Sequence, residues 1–106
     1  MTWDYNYRDA SRALNLGDEL LKNPDKVAQD DRLAMLVSVW YWKRYVRPKL
    51  KGNNSDKFGV TTMVINSGEC KFEKYKKRAQ SRWEKYEKVA EALQIKNKAK
   101  ESGCYN

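Results

Sequence analysis

Histidine is absent from this chain, and its absence removes the commonest general base and the commonest metal ligand together. A Ser–His or Cys–His nucleophile is excluded, and a histidine-based zinc site with it. Cysteine is scarce: Cys70 and Cys104 are too few to define a disulfide framework by count. No apolar run approaches the roughly 20 residues that span a bilayer. The opening Met1-Thr2-Trp3-Asp4-Tyr5-Asn6-Tyr7 has no apolar stretch of the kind a signal peptide carries. Taken by itself, that start points to a cytoplasmic product, or to a mature or partial chain. Internal repeats and low-complexity tracts are missing as well.

What remains is enough for one small domain. The chain has 106 residues, of which 41% are hydrophobic, with four Trp and seven Tyr. A core can form, although a chain this short buries a modest share of its surface. The net charge of +8 is uneven, because residues 71–100 hold eleven Lys or Arg against four Glu. Such a stretch attracts polyanions. A small basic module would use Lys74, Lys77, Arg78, Lys85 and Lys88 to hold nucleic acid or an anionic surface. No nucleic-acid motif accompanies them, and a solvated helix face accounts for the same residues.

The pattern of the chain is all-α, with four to five helices. Tyr7 to Leu16 places Ala10, Ala13 and Leu14 on one side of a short helix that stops near Gly17. Asn23-Pro24-Asp25 reads as a helix start, with Asn23 as cap, Pro24 at the first helical position and Asp25 in the first turn. A helix capped by Asp30 or Asp31 then sets Leu33, Leu36, Val37, Trp40 and Arg44 at helical spacing as far as Tyr45. Met35, Val39 and Trp42 widen its apolar face, as in a helix packed on more than one side. Pro48 closes it. The β-branched run from Val60 to Ile65 has the propensity of a strand. No partner strand is visible, and an unpaired buried strand leaves its backbone groups unsatisfied, so a helix is expected. The last helix, Phe72 to about Ile95, carries Phe72, Tyr75, Ala79, Arg82 or Trp83, Tyr86, Val89 or Ala90, and Leu93 on one stripe.

Thr2, Tyr5, Asn6 and Asn66 are neutral hydrogen-bonding side chains close to aromatic residues. That mixture suits carbohydrate, whose hydroxyls need directed partners and whose ring faces need apolar contact. Helix caps use the same residue types. The order of several motifs narrows the choice. Thr2-Trp3-Asp4-Tyr5-Asn6-Tyr7 is followed by Asn23-Pro24-Asp25-Lys26-Val27-Ala28-Gln29-Asp30 and by Trp40-Tyr41-Trp42. Then come Phe58-Gly59-Val60-Thr61-Thr62, Ile65-Asn66-Ser67-Gly68-Glu69-Cys70, and Arg82 with Tyr86. In this order and near this spacing they resemble the second half of the family 19 glycoside hydrolases, the plant-type chitinases.

The resemblance, which runs from Thr2 to Cys104, implies the all-α, lysozyme-like lobe of such an enzyme. It implies a substrate of β-1,4-linked N-acetylglucosamine, as in chitin, although related lysozyme-like enzymes act on peptidoglycan. Thr2, Tyr5 and Asn6 resemble cleft residues, Asn66 the asparagine that contacts the sugar, and Lys49 a lysine at the rim. Glu69 with Arg82 resembles the charge network behind the catalytic acid, where a guanidinium compensates a carboxylate and holds it in place. Cys70 and Cys104 match a family disulfide, which by the chain-entropy estimate is worth about 3–4 kcal/mol. No cofactor or metal is implied. The family is extracellular.

Departures accompany the match. Asp4 stands where the family has asparagine, Ser67 replaces a glycine, and one residue is missing before Glu69. Inverting glycosidases place an acid and a base about 6.5–9.5 Å apart, and the family supplies both from its first half. Here Asp4, Asp9, Asp18, Glu19, Asp25, Asp30, Asp31 and Asp56 are scattered without the flanking motifs of either. The expectation is therefore a partial catalytic domain over residues 1–106 that lacks the catalytic carboxylates, with a separate N-terminal half as a possible partner.

Overall fold

A computed structural model describes residues 1–106, and its helices fall into two compact units, Met1–Arg44 and Tyr45–Asn106. The only strand-like feature is an isolated bridge between Lys57 and Lys100. Four helices have nine residues or more, and three are single turns of four. No helix is long and apolar enough to cross a membrane. No group of three or more Cys, Asp or Glu side chains is arranged to hold a metal ion.

In the first unit, α1 (Asp4–Ala13) begins earlier than the pattern from Tyr7 suggests. Asp4 lies in its first turn, where a carboxylate complements the helix dipole. The short helices α2 (Glu19–Lys22) and α3 (Lys26–Gln29) follow. Pro24 precedes α3 rather than opening it, and no side chain caps that turn. Asp30 does cap α4 (Asp31–Tyr41), its side chain accepting from the Leu33 amide at 3.1 Å. Ala10, Leu20 and Val37 form the core, flanked by Tyr7, Leu14, Val27, Leu33 and Trp40. The buried Ser11 hydroxyl accepts from the Leu20 amide at 3.1 Å, tying α1 to α2.

Two expectations fail in this unit. Ala13 is exposed, so only Ala10 and Leu14 face inward. Helix α4 is packed on one side only: Val37 is buried, whereas Met35, Leu36, Val39 and Trp42 are exposed. The apolar periodicity marks faces able to be buried, and here nothing in the unit covers the second of them.

The helix beyond Tyr41 changes character. Residues Trp42–Val46 wind as a π-helix and Arg47–Lys49, with Pro48, as a 3-10 turn. Helix α5 (Phe58–Asn66) confirms that the β-branched run is helical. The single turn α6 (Gly68–Lys71), a 3-10 turn Glu73–Tyr75 and the long α7 (Lys76–Ala92) complete the second unit. Phe58 stacks on Tyr86 with centroids 4.8 Å apart, and Trp83 lies 5.7 Å from Phe58 and 5.4 Å from Tyr86. Val46, Ala79 and Ala90 are buried. Phe72, Val89 and Leu93, read as members of the apolar stripe, are exposed.

The C-terminal tail closes on α5. Cys70 and Cys104 form a disulfide with Cα atoms 4.9 Å apart. The Phe58 amide donates to the Lys100 carbonyl at 2.8 Å and the Gly59 amide to Ser102 at 3.0 Å. These tail carbonyls satisfy donors that the first turn of a helix otherwise leaves unpaired.

Candidate functional site

The start of α1 brings Thr2 and Asn6 together. The Asn6 Nδ2 donates to the Thr2 carbonyl at 2.7 Å, so the contact runs through the Thr2 backbone, not its hydroxyl. Asn6 is 5% exposed, and no protein donor reaches its Oδ1. A buried acceptor left unmatched costs about 1–3 kcal/mol, so this oxygen calls for an N–H or O–H donor, and with almost no accessible surface of its own it meets one from outside only when the side chains covering it part. Tyr5 and Trp3 beside it are exposed and offer apolar ring faces. Trp3 holds a φ of 68°, a region in which a bulky residue is an outlier. Such strain gathers at ligand sites more often than elsewhere.

A depression of about 610 Å³ on the same unit is lined by Leu14, Leu20, Leu33 and Leu36 with Glu19 and Lys26. Neither Thr2, Tyr5 nor Asn6 lines it. The hydrogen bond from Lys26 Nζ, at 2.5 Å, is the main cause that holds the Glu19 carboxyl below the usual carboxylate range.

In the second unit, Glu69 and Arg82 form the expected pair. Arg82 Nε donates to one oxygen of Glu69 at 2.7 Å and Nη2 to the other at 3.3 Å. The carboxylate is buried, while the Arg82 side chain keeps 40% of its surface. The bidentate geometry fixes both planes, which a lysine at that position cannot do. Lys77, Arg78, Ser81 and Lys85 line an open depression of about 510 Å³ with this pair. Arg78 lies 4.9 Å and Lys74 4.8 Å from the centroid of the Tyr75 ring. Three of the five basic residues read as a polyanion surface thus share one depression, while Lys74 and Lys88 do not line it. Ser81 escaped the sequence reading, although its place four residues from both Lys77 and Lys85 signals the same helix face.

Lys49 and Asn66 are exposed, and neither lines that depression. Asn66 ends α5, and Lys49 belongs to the 3-10 turn that packs against α5. Gly68 leaves room for Asn66: a Cβ there would approach the Asn66 Oδ1 to 3.2 Å. The structure therefore joins Thr2 to Asn6, Glu69 to Arg82 and Cys70 to Cys104, and leaves Lys49 and Asn66 outside those pairings.

Comparison with known proteins gives a consistent set of relatives. The family model described as chitinase class I matches residues 1–54. An endochitinase of Arabidopsis thaliana is 46% identical over 70 residues, which cover 66% of this chain and 23% of that protein. A basic endochitinase of Brassica napus is 36% identical over 70 residues, covering 66% of this chain and 24% of the relative. Chitinase 4 of Oryza sativa subsp. japonica is 35% identical over 71 residues, covering 66% and 23%. The chain thus spans about a quarter of the length of the curated relatives it matches. No solved structure matches it.

Proposed function

Because this chain belongs to the chitinase class I family of glycoside hydrolases, we propose that it grips polymers of β-1,4-linked N-acetylglucosamine as part of a chitin-degrading enzyme. The observation that carries the reading is Asn6: a buried carboxamide, oriented by the Thr2 carbonyl, with an oxygen no protein donor reaches. The acetamido N–H or a hydroxyl of the sugar supplies the missing donor once the side chains covering the Asn6 oxygen part, and Tyr5 or Trp3 supplies a ring face. Lys49 and Asn66 are further contacts by family correspondence. Glu69 with Arg82 acts as a fixed charge pair that steadies a catalytic carboxyl.

In this reading residues 1–106 form part of a catalytic domain, and the acid and base that cut the glycosidic bond are supplied from outside them. A first half of the domain, joined to this chain or separate from it, is the partner that fits. The exposed apolar side chains Met35, Leu36 and Val39 of α4, with Trp42 just beyond its end, are the kind of surface such a partner covers. The Cys70–Cys104 bridge supports folding in an oxidising, extracellular setting.

Titration with chitin oligomers, followed by amide NMR, is expected to shift the signals of Asn6 and Asn66. No change at millimolar oligomer would sink the binding claim. Purified residues 1–106 are expected to release no product from chitin oligomers above buffer, and heat-sensitive product formation would refute the division of labour.

One observation favours a second reading. Lys77, Arg78, Arg82 and Lys85 share a depression that holds a single carboxylate, already paired. A polyanion, nucleic acid among them, would bind there with an affinity that falls steeply as salt rises. A salt-titrated gel shift separates the readings, since chitin oligomers are neutral.

A further inference from the structure

The loop between the Arg47–Lys49 turn and α5 contains Asn53-Asn54-Ser55. Of the chain's eight asparagines, only Asn53 is followed by a non-proline residue and then by Ser or Thr. This is the acceptor pattern for an N-linked oligosaccharide. We infer that Asn53 is such an acceptor.

The fold leaves the site free for that use. Residues Gly52–Asn54 make a single 3-10 turn, and Asn53, Asn54 and Ser55 are all exposed. The turn is held by backbone bonds alone, from the Asn54 amide to Lys51 at 3.0 Å and from the Ser55 amide to Gly52 at 3.2 Å. Gly52, at φ +54°, has nothing within 4 Å of the place its Cβ would occupy. The Asn53 carboxamide thus supports no part of the structure. A bulky, hydrated group on its Nδ2 displaces no packed atom.

A second, independent observation concerns the compartment. The same unit is closed by the Cys70–Cys104 disulfide, and stable disulfides form in the oxidising lumen of the secretory pathway. Oligosaccharide transfer takes place in that lumen. The co-reactant is an oligosaccharide linked to a lipid through a diphosphate. The Nδ2–C1 bond forms, the C1–O bond to the diphosphate breaks, and the lipid diphosphate leaves with the bonding pair. The amide proton passes to a base of the transferase. The product carries its glycan on the loop segment between Lys51 and Lys57, with Ser55 as the hydroxyl the transferase reads. The inference does not depend on chitin binding, and its readout is mass.

The test is translation of the full chain behind a cleavable leader in the presence of endoplasmic-reticulum microsomes. The expected result is one slower-migrating species, collapsed by peptide N-glycosidase. It disappears in Asn53→Gln and in Ser55→Ala, persists in Asn54→Gln, and gains occupancy in Ser55→Thr. The inference is overturned if protease-protected chain shows no glycosidase-sensitive shift, in wild type and Ser55→Thr alike, while a control acceptor in the same reaction is modified. A shift that survives Asn53→Gln overturns it equally. Urea unfolding of Asn53→Gln, expected to match wild type, separates loss of an acceptor from loss of the fold.

Discussion

Gly59 sits in the second residue of α5, where an alanine would ordinarily strengthen the helix. A Cβ built there lies 2.5 Å from the Cys104 nitrogen, 2.6 Å from the Ser102 oxygen and 2.7 Å from the Gly103 carbon. All three are backbone atoms, so no side-chain rotation relieves the overlap. The tail cannot simply withdraw, because Cys104 is tied to Cys70. Overpacking of this kind costs about 1–3 kcal/mol. Pushing the tail aside also stretches the Gly59–Ser102 hydrogen bond, worth about 1 kcal/mol. Against this stands a helix-propensity gain of about 1 kcal/mol for alanine over glycine. The net expectation for Gly59→Ala is a loss of about 1–3 kcal/mol, measured by urea unfolding of the oxidised protein. In a Cys70→Ser/Cys104→Ser background the tail can move off, so the same substitution is expected to be neutral or slightly stabilising. A Gly59→Ala protein as stable as wild type with the disulfide intact refutes the argument, as does an equal penalty with and without it.

Arg82→Met leaves the buried Glu69 carboxylate without its bidentate partner. A fully buried broken pair loses about 3–5 kcal/mol, and the 40% exposure of Arg82 reduces this to about 2–3 kcal/mol by admitting water. A double-mutant cycle with Glu69→Gln should show coupling of at least about 1 kcal/mol; additive losses contradict the pairing. Leu20→Ala empties the centre of the first unit's core and is expected to cost about 2–5 kcal/mol, read as a lowered urea midpoint. Tyr105 donates its hydroxyl to Glu101, and its phenol is pushed up first by burial and then by that bond. The folded state therefore favours the neutral phenol. Its contribution is complete below the unfolded value near pH 10 and is lost as pH rises through the higher folded value. Tyr105→Phe should flatten part of the alkaline decline in stability, and an unchanged slope above about pH 10 rejects the assignment.

The helices were legible where a local rule had no competitor. Asp30 caps α4 as a carboxylate should, and the Val60–Ile65 run became helix because no strand was present to pair with it. Faces were less legible than elements. Leu36, Val37 and Trp40 look alike to periodicity, yet Val37 is buried and Leu36 exposed, because burial depends on what arrives opposite. Phe72, Val89 and Leu93 repeat the lesson on the last helical stretch. Gly59 is legible only as part of a motif, since its neighbour is a tail far along the chain. At the candidate site, motif order led to Asn6 and to the Glu69–Arg82 pair. Burial alone revealed that the carboxamide oxygen of Asn6 lacks a partner.

Glu69 and Cys70 depend on each other through the same kind of distant contact. They are consecutive residues of α6, a helix of four residues, far shorter than an isolated helix needs to persist in water. Its orientation is therefore set by tertiary links. Cys70 fastens it to the tail and Glu69 fastens it to α7 through Arg82. Freed of the disulfide, α6 keeps the charge pair and its packing on α5 and α7 but loses its tie to the tail, and the aim of the Glu69 carboxylate loosens before the long helices do. Reduction is accordingly expected to broaden the amide NMR signals of Gly68 to Lys71 while those of α7 stay sharp. Uniform broadening across both helices would show that the bridge supports the unit as a whole, and that the carboxylate's position has no separate dependence on it.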